Sequence, residues 1–350
     1  MTSAGDSGRV ARLLEEPQPP VAGEVVADIV AGDAAGAASA MSSLNDCDVV
    51  IMQHEFGVYG GADGQDVLGL LAALTVPSIV VLHTVLTRPT SHQRDVLEAV
   101  VMAASAVVTM TSTARERLAT GYRVDMGKVS TIAHGAPELL ATTSLKPVFR
   151  GLQPIVLTWG LLGPGKGIEW GIEAMGQLRD LKPAPRYVVA GQTHPKVAAR
   201  EGETYRSGLS RLIRQLSLGG SVSLDGHYRD APSLAELVAS ADVVLLPYDS
   251  TDQVTSGVLI EAVAAGKPVV ATAFPHAVEL LSGGAGLVVA HRSPGAIAAA
   301  LRVVLTQREV ARAMSAAAAA AAPELCWSAV AGQYAQLAAR LVADPGLVAA

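Results

Sequence analysis

From residue 48 to residue 289 the chain alternates short apolar, β-branched runs with stretches of helical spacing, and this rhythm constrains the fold more than any other feature. The runs cover residues 49–53, 79–83, 106–111 and 129–133. After a Pro-bearing stretch at 142–154, read as a linker, they resume at 155–159, 187–191, 222–225, 243–247, 269–272 and 286–289. Strands this apolar need cover on both faces, so the pattern predicts an α/β fold of parallel sheets flanked by helices, in two consecutive Rossmann-like units. A length of 350 residues suits two such units. The expected boundaries are 1–145, 146–322 and a terminal segment 323–350.

The flanks carry weaker signals. Residues 1–32 are rich in Gly, Pro, Ala and charge and have no clear period, which predicts disorder or loose packing. The Ala-rich tract 311–322 is expected to form a surface helix, because Ala has the highest helix propensity. Beyond the Pro323 break, Trp327, Val330, Tyr334, Leu337 and Leu341 fall at helical spacing.

A formal net charge of −6 with no basic cluster argues against nucleic acid as a partner. Two cysteines, Cys47 and Cys326, do not make a disulfide framework, and no apolar run reaches the ~18–20 residues of a membrane span. Cytoplasmic residence is the resulting expectation. The eight histidines are scattered and form no cluster with cysteine that suggests a metal site.

One carboxylate stands out. In "TSGVLIEAVAAGKPVVAT", Ser256 is a good N-cap, Gly257 opens a helix and Gly266 ends it, yet Glu261 sits among apolar residues. It either faces solvent or meets hydrogen-bond donors, because an unpartnered buried carboxylate is costly. Ligands of open α/β sheets bind beyond the carboxyl ends of the strands. There the sequence also places "GLLGPGKG", a turn whose Gly163 and Gly165 allow close backbone approach and whose Lys166 supplies a cation. It is not a P-loop, since Gly167 stands where a hydroxyl is required.

Four segments in this order, "WGLLGPGKGIEWGIEAM", "VVAGQTHP", "ADVVLLPYDSTDQVTSGVLIEAVAAGKPVVAT" and "GAGLVVA", resemble a retaining glycosyltransferase of family four, the group 1 type. "QHEFGVYGG", "VVLHTVL" and "VSTIAHGAPE" resemble that family's acceptor-side strand ends. The resemblance implies the GT-B architecture, two Rossmann-like domains facing a cleft, with the final helix returning to the first domain. It also implies transfer of a hexose from a nucleotide-sugar, with GDP-mannose or UDP-glucose as donor, to a carbohydrate or glycolipid acceptor in carbohydrate biosynthesis. Neither cofactor nor metal is expected.

By position, Glu261 matches the glutamate that holds the donor ribose. Gln253 takes the place of a glutamate that contacts the donor sugar. Ser256, Gly257 and Val258 would offer N–H groups to the diphosphate, and Lys166 matches the phosphate-binding lysine, while Leu161 replaces an arginine. Gly163, Gly165, Gly191 and Gln192 line the donor side, and Tyr228 either borders the base or packs on its neighbour. His83 matches a histidine that reaches the donor sugar, so His83, Lys166 and Gln253 are the catalytic candidates. His54 and Glu55 are expected to contact acceptor, and His134 is either on the acceptor side or a structural turn residue.

Residues 1–46 contain no recognisable opening strand or Gly-rich loop, so the first domain is expected to be incomplete, with a sheet of about four strands. A start upstream of Met1, or a truncated relative with weak or no transfer, is the corresponding expectation. Two other readings stay open: a donor-binding relative without catalysis, motivated by Gln253 and Leu161, and a nucleotide-sugar epimerase.

Overall fold

The computed structural model describes residues 7–16, 18–19, 23–30, 33–142 and 153–343. Most of the linker expected at 142–154 lies outside the described residues. The chain divides into two compact units, Met1–Ala133 with Ser328–Ala350, and His134–Trp327.

Among the described residues, the first unit contains six strands. β1 (Val10–Leu14) and β2 (Val25–Val30) pair in parallel as a two-stranded sheet. β3 (Val50–His54), β4 (Ser78–Leu82), β5 (Ala106–Thr109) and β6 (Val129–Thr131) form a four-stranded parallel sheet in sequence order. β4 and β5 are buried along their whole length, which is why their runs read as continuous apolar stretches.

The opening segment is a correction to the sequence reading: residues 10–14 and 25–30 are strands. Arg12 and Asp28 sit opposite each other in the ladder, and the guanidinium donates from Nε to Oδ1 at 2.7 Å and from Nη2 to Oδ2 at 2.8 Å. Two charges in short strands hide the apolar alternation, while a bidentate pair supplies each with its partner. Asp33 then caps the helix Ala34–Asn45 by accepting from the N–H groups of Ala35 and Gly36.

The second unit is one six-stranded parallel sheet: β7 (Ile155–Trp159), β8 (Arg186–Ala190), β9 (Val222–Asp225), β10 (Val243–Leu246), β11 (Val269–Thr272) and β12 (Gly286–Val289). Their spatial order is β12-β11-β10-β7-β8-β9. The chain builds outward from β7 through β9, then crosses back and builds outward from β10, so the order reverses between β7 and β10. At the opposite end of this sheet Lys267 is buried; its ammonium donates to Ala239 O and Ala241 O, beside the Asp242 carboxylate that accepts from Ile155 N.

The Ala-rich tract lies in the helix Arg308–Leu325, which continues through Pro323. It is more than a surface helix: Ala311, Met314, Ala318, Ala322 and Leu325 form a buried stripe, and the helix packs on Gly257–Ala264. The last helix, Trp327–Ala343, buries Val330, Tyr334, Leu337 and Leu341, and from Ser328 onward it groups with the first unit. Among the described residues, no helix is long and apolar enough to cross a membrane.

Candidate functional site

At the order reversal of the second sheet, the loops that follow β7, β8 and β10 converge. Their approach is so close that two positions admit only glycine. A Cβ on Gly167 (φ +61°) would lie 1.9 Å from Pro247 O, and one on Gly191 (φ +147°) would lie 1.9 Å from Gly160 O. Backbone hydrogen bonds fix the arrangement: Gly160 N to Ala190 O, Leu162 N to Gln192 O, His194 N to Leu162 O, and Asp249 N to Gly165 O. Asp249 fastens the loop further by accepting from Trp170 Nε1 at 3.1 Å and Arg292 Nε at 3.2 Å. Gly163 is buried and Gly165 exposed in the same turn, whereas Leu161 points largely to solvent.

Lys166 rises from this turn. Its ammonium lies 4.3 Å from the centroid of the Tyr248 ring, and burial lowers its pKa. No carboxylate of the described residues pairs with it. Tyr248, only 1% exposed, stacks on Phe274 with ring centroids 5.1 Å apart. Its buried hydroxyl has no hydrogen-bond partner, although it lies close enough to Ser256 for that side chain to offset part of the rise that burial imposes on its pKa.

The helix Gly257–Ala264 begins beside this turn, since a Cβ on Gly160 would lie 3.4 Å from Val258 Cγ2. Ser256 caps it, accepting from Leu259 N at 3.3 Å. One expectation is corrected here: the Ser256 N–H is not free for a ligand, because it donates to His276 Nδ1 at 2.8 Å. The N–H groups of Gly257 and Val258 have no partner among the described residues, and they carry the positive end of the helix dipole.

Glu261 sits one turn further on and is half-buried, neither on a solvent face nor fully enclosed. Its Oε2 accepts from the Trp159 indole at 3.0 Å, and Oε1 has no partner among the described residues. Burial pushes the carboxyl pKa up, opposed by the indole hydrogen bond and by the nearby His134. Gln253 donates from Nε2 to Thr255 O at 3.1 Å. Tyr228, on the loop after β9, is 82% exposed and therefore does not pack on its neighbour. That loop is tied down by Asp225, which holds Arg229 and accepts from His227 N, and the Arg229 hydrogen bond draws its carboxyl pKa far down.

His134 belongs to this unit, and its Nδ1 bonds to Gly135 O at 2.7 Å. The remaining candidates lie in the first unit. His83 Nε2 bonds to Gln53 Oε1 at 2.7 Å, and Glu55 accepts from Thr84 Oγ1 at 2.6 Å and Phe56 N at 3.0 Å. The His54 ring has no accessible surface and, among the described residues, no partner for either nitrogen, and burial pushes its pKa down to about 4. A ring so enclosed offers nothing to an acceptor, so the contact expected of His54 is corrected. Trp159, Tyr248, Asp249 and His276 were not anticipated. Trp159 ends β7 and Tyr248 follows β10, so the carboxyl-end rule was the signal that pointed to both. Asp46 and Asp48 have Asp-x-Asp spacing, but no His, Cys, Asp and Glu side chains of the described residues gather into a metal-binding group.

This fold and site define a GT-B glycosyltransferase. The family Glycosyl transferases group 1 matches residues 144–321, just over half of the chain, and the protein belongs to that family. No curated protein sequence matches it. Among solved structures it is similar to the sucrose-phosphate synthase of Thermosynechococcus elongatus, with 22% identity and a TM-score of 0.70 over 87% of this chain and 77% of that one. The Anabaena protein Alr3699/HepE, solved with UDP, gives 20% identity and a TM-score of 0.73 over 91% and 87%. The UDP-forming α,α-trehalose-phosphate synthase of Burkholderia vietnamiensis gives 14% and 0.65 over 87% and 77%.

Proposed function

We propose that this glycosyltransferase moves a hexose from a nucleotide-sugar to a sugar or glycoconjugate acceptor with retention of configuration. The observation that carries the reading is the convergence of unpaired donors at the sheet's order reversal: the Lys166 ammonium and the N–H groups of Gly257 and Val258, with the free Oε1 of Glu261 one turn away. A diphosphate fits the cation and the helix start, and a ribose hydroxyl fits the carboxylate. Of the two donors the sequence suggests, UDP-glucose has the further support that the solved HepE structures contain UDP and UDP-glucose.

In this reaction the C1–O bond to phosphate breaks and its electron pair moves to the phosphate oxygen. The acceptor oxygen bonds to C1 on the same face, and its proton passes to the departing phosphate. Lys166 and the two N–H groups oppose the charge that grows on that oxygen, which is where preorganised donors accelerate transfer. Gln253 offers its amide to the donor sugar without adding charge.

The test is a panel of UDP- and GDP-sugars with simple glycoside acceptors, following nucleotide release and the anomeric configuration of the product by NMR. Acceptor-dependent release with an α product is expected from UDP-glucose. Lys166→Ala should weaken UDP binding about tenfold or more, the equivalent of one charge-assisted hydrogen bond. A product of inverted configuration sinks the retaining reading. Binding without turnover favours a donor-binding protein.

A further inference from the structure

We propose that His134 is a direct contact for the leaving diphosphate, donating a hydrogen bond from a protonated imidazole at Nε2 to an oxygen held at the start of the helix Gly257–Ala264. The inference rests on the diphosphate reading above and adds to it a residue from outside the Gly-rich turn.

Two observations converge. The first is the tautomer: a carbonyl only accepts, so the 2.7 Å bond between His134 Nδ1 and Gly135 O puts a hydrogen on Nδ1 and leaves Nε2 for another partner. The second is its direction. A Cβ on Gly257 would lie 3.5 Å from Cε1 and 3.7 Å from Nε2, so the free edge of the ring faces the turn whose Gly257 and Val258 N–H groups are unpartnered. An anion at this turn would meet the ring edge and the two N–H groups together.

The ring is held in place. Trp327 lies against it with centroids 5.3 Å apart and planes tilted by 51°. Gly135 has no room for a side chain, because its Cβ would lie 2.3 Å from Trp327 Cδ2. The adjoining backbone is pinned by Ala136 N to Leu325 O at 2.7 Å and Trp327 N to Ala136 O at 2.9 Å. The ring itself remains half-buried and open to a ligand.

Two titratable side chains face His134. Glu261 approaches from the helix Gly257–Ala264. His276, from the helix Pro275–Leu281, is a neutral neighbour, since burial pushes its pKa down to about 4. Trp327 brings no charge, and Glu138 lies further along the His134 segment. An arriving diphosphate adds negative charge on the side left open. The proposal requires binding to take up a proton on the ring, and the hydrogen bond strengthens as charge moves onto the phosphate oxygen. His134 keeps its proton throughout; the proton that moves in the transfer is the acceptor's.

The experiment is calorimetric titration of the full chain with UDP, GDP and inorganic pyrophosphate between pH 7.5 and 9, in buffers of different ionisation enthalpy. The unmutated protein, His134→Gln and Lys166→Met are compared, with circular dichroism and a melting curve for each. Proton uptake is expected in the unmutated protein and in Lys166→Met, with affinity falling as pH rises. His134→Gln should lose the uptake, bind about tenfold more weakly and show a flat pH dependence. Uptake that disappears in Lys166→Met assigns the proton to the lysine and overturns the inference. Binding to the unmutated protein without uptake overturns it without any variant, and leaves the diphosphate reading standing. Failure of all three probes to bind the unmutated protein sinks both.

Discussion

Lys166 holds its ammonium over an aromatic face, where no carboxylate of the described residues competes for it, and the nearby Glu261 leaves one oxygen without a partner among them. On the proposed reading, Glu261 and Gln253 act at different stages. A ribose contact exists in ground state and transition state alike, so Glu261→Ala should abolish or greatly weaken nucleotide binding measured with UDP alone. Gln253→Ala should leave UDP affinity nearly unchanged and lower kcat. If UDP binds Glu261→Ala as tightly as the unmutated protein, the Glu261 assignment is wrong. Trp159 is the partner that keeps the Glu261 side chain oriented before any ligand arrives.

At the scale of elements, the helix that presents Gly257 and Val258 is backed by the Ala-rich helix Arg308–Leu325, through a stripe of mostly small side chains. Small residues let two helices approach closely, and that contact limits how far the turn at Ser256 and Gly257 can shift. Ala318, fully buried, is a sensitive position. Ala318→Leu should cost roughly 1–3 kcal/mol in chemical denaturation, the usual penalty for overpacking, and should weaken UDP binding although residue 318 touches no ligand. Equal stability in urea titrations would show that the stripe is loosely packed.

The six strands of the second unit were legible because each is a compact apolar run closed by a polar or Gly-rich turn. The Ser256 cap and the Gly266 stop were legible for the same local reason. β1 and β2 were not, because Arg12 and Asp28 look unfavourable singly and become compatible only as a pair. Nor was the loss of the Ser256 N–H to His276, a bond that spans 20 residues and depends on how β11 delivers the next helix. Pro323 misled as a helix break because the helix absorbs it two residues before its end at Leu325, losing one backbone donor there.

At the scale of the molecule, each unit hides a histidine that burial keeps neutral. Both His54 and His276 are pushed down to about 4, whereas an unfolded histidine titrates near 6.5. Between these values the unfolded chain binds protons that the folded chain does not. The stability these residues contribute is therefore complete above about pH 6.5 and is lost as pH falls toward 4. His54→Leu should remove one proton from that linkage and flatten the slope of unfolding free energy against pH in this window. Because it also removes two unpartnered buried nitrogens, it should not destabilise the protein at pH 5. A slope identical to that of the unmutated protein would mean that His54 protonates freely in the folded state.

The seam in which Trp327 fills the space over Gly135 and Cys326 bridges Ala136 joins the first residues of the second unit to its last. A ribosome delivers these two edges at opposite ends of that unit's synthesis. Until Trp327 emerges, a nascent chain that already holds all six strands of the sheet lacks the packing that fixes the His134 ring. From Ser328 onward the helix that follows groups with the first unit, so that unit too waits for this stretch to be made. Both units therefore reach completion at nearly the same moment of synthesis.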